Sequence, residues 1–456
     1  MKHIMTLILI LFQLAFKSLY AQELPNMPEG LELLESNKSQ TVMGPVVATK
    51  NDFSLASLFD LKGFVETRQG VRTRSDELQK KMSINELRAS IELEKNISNV
   101  NTIFAANFIY DDIVQNDDVN LRTGKGPIDL RQASVAYSPL DNVDIKAGRQ
   151  ILTWGTGDLV FINDLFPKDW NSFMLGRNME YLKAPSDAIK ASAYTGWVNL
   201  NLVWTPIFNP DRLIDGQRIS YWNPATSRFS GRNQVLQPRQ QDRFGTDDEI
   251  AMRLSKVVGS YELALYAYDG FWKTPQGQTS SGEYYYPKLQ TVGGSVQGPL
   301  MGGIFHIEVG SYHSQEDSQG KNPLIRNSEN RFLVGQEMEL STNFTIHGQY
   351  YLEQMRDYQE YTSSLPAGIS AKKKEKHMVV IRATKRLMNQ NLTLEMVAFY
   401  SPSEKDSHLR PRIEYKVDDN WTIDTGANIF YGEKKDTTWG QLENASNVYA
   451  GLRYNF

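Results

Sequence analysis

The chain has 456 residues, with 49 Lys and Arg against 53 Asp and Glu, a formal net charge of -4 and no cysteine. This mild acidity argues against nucleic-acid binding, and the lack of cysteine excludes a disulfide scaffold and a lipoprotein. The mean hydropathy is -0.45. Past the amino terminus, no uncharged apolar stretch approaches the roughly 18 residues expected of a transmembrane helix. Any crossing of a membrane must therefore use β-strands.

The amino terminus is typical of a secretory signal peptide. Three residues, Met1, Lys2 and His3, precede the apolar run 4–16, whose length of about 13 residues is short for a membrane span. We expect residues 1–21 to be a signal peptide and 22–54 to be a polar periplasmic segment. Disorder, a short helix at the periplasmic mouth and a docking arm for a periplasmic partner all stay open for 22–54.

From residue 55 onward, segments in which apolar and polar residues alternate are separated by polar links. A period of two is typical of β-strands with one apolar face. The pattern predicts about 18 strands, an even number as in bacterial barrels, or about 16 if 187–206 is partly loop. The predicted strands cover 58–68, 82–94, 99–110, 129–138, 142–152, 187–196, 198–206, 247–256, 259–268, 289–298, 301–313, 329–342, 343–355, 376–388, 391–401, 407–417, 420–431 and 446–456.

The links between these strands alternate in length. Those from even to odd strands are tight, as at 95–98, 257–258 and 389–390. A barrel inserted from the periplasm keeps short periplasmic turns and long extracellular loops. The sequence therefore predicts an all-β fold, a transmembrane antiparallel up-and-down β-barrel over 55–456. Its long extracellular loops are predicted at 111–128, 153–186, 207–246, 269–288 and 356–375.

The last predicted strand, 446–456, ends on a carboxy-terminal aromatic residue, Phe456. One face of this strand is apolar, which suits a wall with lipid outside and water inside. A terminal aromatic strand of this kind is similar to the signal that barrel-assembly machinery recognises. The residues expected to face lipid are Val448, Ala450, Leu452, Tyr454 and Phe456.

Charged side chains within the strands are expected to face the lumen. On the lipid face at the bilayer midplane, Arg or Lys would cost roughly 2–4 kcal/mol. Barrels of 16 to 18 strands leave an aqueous channel, so these residues could orient polar solutes; the alternative is that they only solvate the wall and pair with one another. The predicted pore-lining residues are Arg88, Glu92, Arg253, Glu308, Glu337, Arg382, Arg386, Glu395, Arg412 and Arg453.

The predicted loop 153–186 is too apolar for a solvated loop, since it contains several aromatic residues such as Phe161 and Phe173. Two arrangements stay open: the loop folds into the barrel and narrows it, or it forms an external cap held by its own aromatic rings. Folded inward, its charged residues would line a constriction. The candidates for this loop are Trp154, Asp158, Asp164, Asp169 and Arg177.

Arg149 joins these candidates, although strict alternation from Val143 and Ile145 would turn it outward. We expect a bulge at Gly148 to turn Arg149 inward, because glycine within a strand permits one. The alternative is that the strand has already reached the extracellular interface at this residue. Loop 207–246 carries a basic cluster, which reads either as a solvated surface that contacts lipopolysaccharide phosphates or as a substrate site at the mouth. The cluster comprises Arg228, Arg232, Arg239 and Arg243.

The segment from Gly148 to Asp164 resembles a family of proteins. Its residues are Gly148-Arg149-Gln150, Trp154-Gly155, Asp158 and Asn163-Asp164, followed by Pro185 and Pro206. It is similar to a G-R-Q…W-G segment near the fifth strand of poorly characterised porin-like outer-membrane barrels of Gram-negative bacteria. The resemblance implies a barrel, and it implies Arg149, Trp154 and Asp164 as functional candidates. Some members of that family work beside inner-membrane transporters that move lipid-like or hydrophobic cargo.

Three functions remain in view. The first is an outer-membrane porin-like channel that passes small polar solutes through a mixed-charge lumen, with little selectivity. The second is an outer-membrane barrel that moves lipid-like or hydrophobic cargo together with an inner-membrane transporter. The third, an outer-membrane hydrolase, depends on His306 with Glu308 or on His313, and pore lining explains the first pair better. We expect no enzyme activity and no catalytic residue.

We expect no cofactor and no metal site either. The acidic group at Asp111, Asp112, Asp117 and Asp118 matches no EF-hand spacing, and a solvated loop explains it better. The expected partners are outer-membrane lipid, lipopolysaccharide and the barrel-assembly machinery. A periplasmic or inner-membrane transport partner and a homo-oligomer stay open, since porins commonly trimerise. Nucleic acid is not expected.

Overall fold

The computed structural model describes residues 60–114, 118–223 and 226–456. Within these ranges, 18 strands form one antiparallel sheet that closes on itself. The predicted signal peptide over 1–21, the predicted periplasmic segment 22–54 and residues 55–59 lie outside the described residues.

The predicted all-β barrel and the count of 18 strands are confirmed. The strand ends differ from the prediction by a few residues. β1, for example, runs on to Arg72 because its last residues pair with Ala450 to Asn447 of the closing strand. In chain order the strands are β1 Asp60–Arg72, β2 Met82–Ile97, β3 Val100–Asp111, β4 Ile128–Leu140, β5 Val143–Ile151, β6 Pro185–Tyr194, β7 Asn199–Thr205, β8 Glu249–Val258, β9 Tyr261–Phe271, β10 Lys288–Leu300, β11 Gly303–Ser314, β12 Glu329–Ser341, β13 Phe344–Met355, β14 Glu375–Leu387, β15 Leu392–Ser401, β16 Asp406–Lys416, β17 Trp421–Gly432 and β18 Asn447–Asn455.

The barrel closes between its first and last strands. β1 pairs with both β2 and β18, and Phe64 lies opposite Asn455. The backbone N–H groups of Phe456 and Gly63 each donate to the carbonyl oxygen of the other at 3.0 Å. Closure gives the backbone of both edge strands a hydrogen-bonding partner, which an open sheet lacks.

The connections separate the two ends of the barrel. Those from even to odd strands are tight turns, and we call that end the short-turn end. Those from odd to even strands are mostly long, with the largest at 152–184 and 206–248. They contain two helices, α1 Trp170–Leu175 and α2 Tyr358–Ser364, two 3-10 helices, Met179–Leu182 and Gly440–Ala445, and two small hairpins. In the described ranges no helix is long and apolar enough to cross a membrane.

The period of two gives each strand an outer and an inner face. On the closing strand, Val448 and Leu452 point outward and are 44% and 39% exposed, whereas Tyr449 points inward and is buried. Aliphatic residues such as Leu265 and Val292 make the outer surface of other strands apolar. A closed wall with an apolar exterior and a charged interior is the arrangement that lipid outside and water inside require.

The hydrophobic core lies inside the barrel rather than within the sheet. It joins apolar residues of the 152–184 connection, among them Ile162 and Leu175, to inward-facing wall residues such as Leu333 and Val397. These four side chains are at most 2% exposed. The long connection is therefore packed within the lumen as tightly as the core of a soluble domain.

Candidate pore constriction

The connection 152–184 enters the barrel, and we call it the inserted loop. Of the two arrangements left open by the sequence, the structure has the inward one. Phe166 and Phe173 are buried, and Trp154 packs edge-on against Phe166 with ring centroids 4.9 Å apart. Phe173 also meets Phe399 of β15 edge-on at 6.0 Å. These aromatic rings pack against the inner wall of the barrel, which is the apolar surface that their sequence pattern predicted.

Glu308 of β11 holds the first part of the inserted loop. Its carboxylate accepts hydrogen bonds from the backbone N–H groups of Asn163 at 2.6 Å, Thr156 at 2.8 Å and Gly157 at 3.1 Å. The Thr156 hydroxyl donates a further bond at 3.1 Å. Gly155, just before, has a φ of +81°, so the turn that brings these N–H groups together favours glycine. Glu308 is 1% exposed, and the loop replaces the water it would otherwise bind.

Helix α1 carries the loop across the lumen. Asp169 caps its start by accepting the N–H of Ser172 at 2.8 Å, and Gly176 ends it with a φ of +78°. The Gly176 carbonyl accepts a bond from Arg68 of β1 at 2.9 Å. Arg68 in turn binds both carboxylate oxygens of Asp424 on β17, at 2.7 and 2.9 Å. A fixed guanidinium fork thus joins the end of the helix to the wall.

The chain after α1 stays bound to the wall through ion pairs. Arg177 reaches Glu86 of β2 at 2.5 Å, and Glu180 pairs with Arg453 of β18 at 2.9 Å. Asn178 accepts a hydrogen bond from Arg412 of β16 at 2.7 Å. Since β2, β16 and β18 lie on the same arc as β1, this half of the loop is attached on the side of the barrel where the sheet closes.

Asp158 attaches the loop to another part of the wall. Arg382 of β14 donates to it at 2.5 Å and also binds Glu395 of β15 at 2.7 Å. His347 lies 3.9 Å away. Burial alone would raise the pKa of Asp158, but the neighbouring His347 and the hydrogen-bonded guanidinium of Arg382 outweigh it and lower that pKa. Asp158 is therefore held as a carboxylate inside the lumen.

The connection 206–248 packs against the inserted loop. Arg212 pairs with Asp129 of β4 at 2.7 Å and with Asp169 at 3.4 Å. Asp211 accepts the N–H of Lys168 at 2.9 Å and the indole N–H of Trp170 at 2.8 Å. Burial raises the pKa of Asp211 to about 6, although Lys168 and the hydrogen bonds oppose the rise. The two connections thus form one unit across the lumen.

The basic cluster predicted in 207–246 is dispersed. Arg232 donates to the carbonyl of Ile113, and Arg239 lies over the ring of Tyr285 at 5.1 Å. Arg243 pairs with Asp247 at 2.8 Å. Two other arginines of this connection lie inside: Arg212, paired with Asp129, and Arg218, which is buried against Asp111.

The inserted loop leaves cavities on both sides. The upper chamber, about 540 Å³, lies towards the long connections and is lined by loop residues and by β10 to β16. The lower chamber, about 630 Å³, lies towards the short-turn end and is lined by charged residues that include Glu337, Arg386 and Glu414. A side chamber of about 430 Å³ lies between the inserted loop, the 206–248 connection and β2 to β4.

On β14 and β15, apolar side chains lie between the residues that line the upper chamber and those that line the lower one. Leu333, Val380 and Val397 of the wall are at most 2% exposed. They belong to the hydrophobic cluster that contains Leu159 and Val160 of the inserted loop. We call these five side chains the septum. The ion pairs of Arg382 with Asp158 and Glu395 lie next to it, on the lower side.

The predicted pore-lining residues face the lumen, and most of them are paired. Arg88 binds Glu86 at 2.6 Å, and Arg412 binds Glu414 at 2.7 Å. Glu308, Arg382, Arg412 and Arg453 contact the inserted loop. Others lie away from it: Arg253 pairs with Glu262 of β9, and Glu92 lies beside Lys62 and Ala105 in the strand register. Glu337 and Arg386 line the lower chamber.

The loop candidates have separate roles. Asp158 and Arg177 bind the wall, Asp169 caps α1, and Asp164 pairs with Lys168 at 3.0 Å inside the loop itself. Trp154 packs beneath Phe166 and near Tyr266. Asp164 borders the upper chamber, whereas Asp169 and Arg177 border the side chamber, so the charged loop residues are not gathered around one opening.

The expectation for Arg149 is wrong. The register of β5 with β4 and β6 runs through Gly148 and Arg149 without a shift, so no bulge turns the side chain inward. Arg149 keeps the outward face and binds Asp187 of β6 through two contacts, at 2.6 and 2.8 Å. It also donates to the carbonyl of Leu121, in the β3–β4 connection. The alternative reading applies: the strand has already reached the rim.

Sequence reasoning identified Arg88 as a lumenal residue but missed three other wall residues that hold the inserted loop, Glu66, Arg68 and Glu86. Glu66 and Arg68 on β1 and Glu86 and Arg88 on β2 form two pairs of the same kind, each with the acid two residues before the arginine. Residues two apart share a face of a strand. The repeated Glu-x-Arg pattern in neighbouring strands was therefore a signal for an inward ion-pair cluster. Asp424, which binds Arg68, carries no comparable signal.

Comparison with solved structures finds similar barrels. OccAB3 of Acinetobacter baumannii matches with a TM-score of 0.51 at 10% identity, over 87% of this chain and 99% of that one. OccAB4 of the same organism matches with a TM-score of 0.51 at 8% identity, over 87% and 97%. A variant of the Rh. blastica porin matches with a TM-score of 0.39 at 9% identity, over 88% and 100%. No protein-family model and no curated protein matches the sequence. At such low identity, the likeness to the two Acinetobacter baumannii proteins shows a shared barrel fold.

Proposed function

We propose that the protein is an outer-membrane porin-like channel for small polar solutes, in which the inserted loop sets the width of the passage. The observation that carries the proposal is the pair of chambers stacked on the wall of β12 to β16 and divided by the septum. A closed barrel with an apolar exterior supports a place in a membrane. The likeness to the Occ barrels and to porins supports a channel.

The route runs from the upper chamber past the septum into the lower chamber. Below the septum, the lining has as many basic as acidic side chains, His347 not counted. The basic ones are Arg382, Arg386 and Lys416, and the acidic ones are Glu337, Glu395 and Glu414. Such a lining solvates polar solutes without strongly favouring anions or cations. The septum is apolar, and hydrophobic constrictions gate by excluding water, so movement of Leu159 and Val160 away from the wall would let water pass.

Two other functions are less well supported. A hydrolase would need His306 to act with Glu308, but Glu308 is fully engaged by the loop and His306 bonds to Gln349 at 3.1 Å. Transport of hydrophobic cargo with an inner-membrane partner would use the segment 22–54, which lies outside the described residues.

The test is the conductance of purified protein in planar bilayers. The wild type should give small discrete ion currents, and the double variant Leu333→Ala, Val380→Ala should give larger ones because it widens the septum. Val292→Ala, at an outward position that is 63% exposed, is the control and should leave the conductance unchanged. A wild type and a double variant that both stay sealed, although folded, would contradict the channel.

A further inference from the structure

The upper chamber has a lining unlike that of the lower one. Five large apolar side chains that pack against the hydrophobic cluster border this chamber and remain only partly buried, whereas the members of the cluster itself are buried. They are Phe161, Leu165, Trp170, Ile214 and Met378. Apolar surface that borders a water-filled space is unfavourable, and an apolar group that covers it gains free energy.

Two of these side chains present flat aromatic surfaces. Phe161 and Trp170 meet edge-on with ring centroids 6.3 Å apart. Lys168 lies over the Phe161 ring at 4.6 Å, and Asp211 binds the Trp170 indole N–H at 2.8 Å. Both rings are thus fixed in orientation by contacts within the two long connections, so little side-chain entropy is left to lose when a ligand binds.

Stacked flat groups also line the chamber elsewhere. Trp272 and Tyr312 stack with ring centroids 5.6 Å apart and planes 26° from parallel. Arg331 lies 3.9 Å from the centre of the Tyr312 ring, and Arg326 lies 4.8 Å from that of Trp272. Glu329 binds both arginines, at 2.5 and 2.8 Å. The guanidinium groups act here as neutralised stacking surfaces more than as free cations.

Charge within the chamber balances. Five basic side chains line it and five acidic ones do so. Six of these ten are held in ion pairs: Lys168 with Asp164, Arg326 with Glu353, and Lys273 and Arg331 with Glu249 and Glu329 just outside. An ionic solute would therefore meet little net attraction, while its own charge would have to shed water. The volume, about 540 Å³, lies within the range of roughly 300–1,000 Å³ found for small-molecule pockets.

From these observations we infer that the upper chamber is a binding site for solutes with a planar aromatic body and no net charge. The inference rests on the proposed channel for its setting, since such a solute would occupy the site on its way to the septum. Phe161 and Trp170 on the inserted loop form the contact surface, and Met378 on β14 forms the wall behind the solute.

The test measures equilibrium binding to the detergent-solubilised protein, which does not depend on ion flow. The probe is 1-naphthalenemethanol, with the saturated decalin alcohol as the non-planar counterpart. The naphthalene alcohol should bind saturably at one site, and the decalin alcohol at least 5-fold more weakly. The carboxylate and the methylamine of naphthalene should also bind more weakly than the alcohol.

Three variants distinguish binding at this site from non-specific binding of the probe. Phe161→Leu keeps apolar volume but removes the ring and should weaken binding of the naphthalene alcohol about 5-fold or more. Met378→Trp fills the chamber and should abolish saturable binding even though it adds an aromatic residue. Phe104→Leu, on the outer face of β3 and 41% exposed, is the matched control and should bind like the wild type.

Equal uptake by the wild type and Met378→Trp would overturn the site, because the probe would then be dissolving in the micelle. Equal affinity for the decalin alcohol would overturn the aromatic preference, and tighter binding of either charged probe would overturn the assignment to uncharged solutes. Conductance without binding would refute this inference alone. Binding without conductance would refute the channel and leave the site.

Discussion

Glu308 is the residue on which the position of the inserted loop depends most. A carboxylate in a strand would ordinarily face water, yet this one accepts three backbone N–H groups and one hydroxyl from a segment about 150 residues away. Hydrogen bonds to a charged acceptor contribute about 1.5–3 kcal/mol each, although the gain is offset by removing the carboxylate from water. The same side chain was predicted as pore lining, and its contacts show that it supports the constriction instead of being available to a solute.

Glu308→Gln should loosen the first part of the inserted loop without unfolding the barrel. The amide offers one acceptor oxygen where the carboxylate offered two, and its N–H₂ group faces backbone donors. If about 1.5–3 kcal/mol of local stability is lost, the amides of Thr156, Gly157 and Asn163 should exchange with solvent roughly 10- to 150-fold faster. Hydrogen exchange followed by mass spectrometry measures this.

The control is Glu337→Gln, which alters a carboxylate of the lower chamber. Exchange over 155–163 should stay at the wild-type rate in that variant. Equal acceleration in both variants would mean that lumenal charge in general, and not the hydrogen bonds of Glu308, holds the loop.

At the scale of the element, the strands and the inserted loop differ in how far they could be predicted. A strand can be recognised from its own sequence, because every second residue must be apolar when one face meets lipid. Tight turns such as 259–260 mark its ends. The inserted loop contained an equally local hint, its aromatic residues. That hint showed that the loop must be buried but not against what, since the partners Glu308, Arg68 and Asp424 are remote in sequence.

At Gly148, the alternation of side chains along β5 is a better guide to the direction of Arg149 than the presence of a glycine. Alternation predicts an outward Arg149, whereas a bulge at Gly148 would turn it inward. The structure keeps the alternation, and the charge is accommodated outside because Asp187 lies opposite in the register and the Leu121 carbonyl accepts a bond from the guanidinium. The pairing of Arg149 with Asp187 on the neighbouring strand could not be predicted from the sequence of β5 alone.

The end of helix α1 depends on Gly176. Its φ of +78° is costly for other residues, and a Cβ at this position would lie 2.0 Å from the Tyr449 ring. Gly176→Ala should therefore combine a left-handed backbone penalty of about 1 kcal/mol with a steric clash worth about 1–3 kcal/mol. The helix should shift from β18, and exchange of the Phe173 and Arg177 amides should rise by more than tenfold.

Gly196→Ala is the matched control for that experiment. Gly196 also has a left-handed φ, +83°, but nothing lies within 4 Å of the position a Cβ would take. It should show the backbone penalty alone, confined to the turn between β6 and β7. If Gly176→Ala behaved no differently from Gly196→Ala, close packing of α1 on Tyr449 would not be what positions the helix.

In the whole molecule, the wall and the interior are stabilised in different ways. The wall is stabilised by a closed backbone ladder, and this part follows from the period of two and the alternation of short and long links. The interior is stabilised by a hydrophobic cluster and by buried ion pairs that join residues hundreds of positions apart, such as Arg68 and Asp424. No single-strand pattern encodes such a pairing, which is why the inward faces were predictable while their partners were not.

This division predicts that the wall survives the loss of the interior. Replacing residues 157–176 with a short glycine–serine link removes α1, Asp158 and the loop side of the septum, but it touches no strand. The barrel should still fold, with unchanged β-sheet circular dichroism and heat-modifiable migration, because its ladder is closed without the loop. Joining the upper and lower chambers should raise the single-channel conductance several-fold.

The control shortens the mostly exposed β13–β14 connection, around α2, and should leave the conductance within the wild-type range. If deletion of the inserted loop gave no larger current, another segment would set the width of the passage.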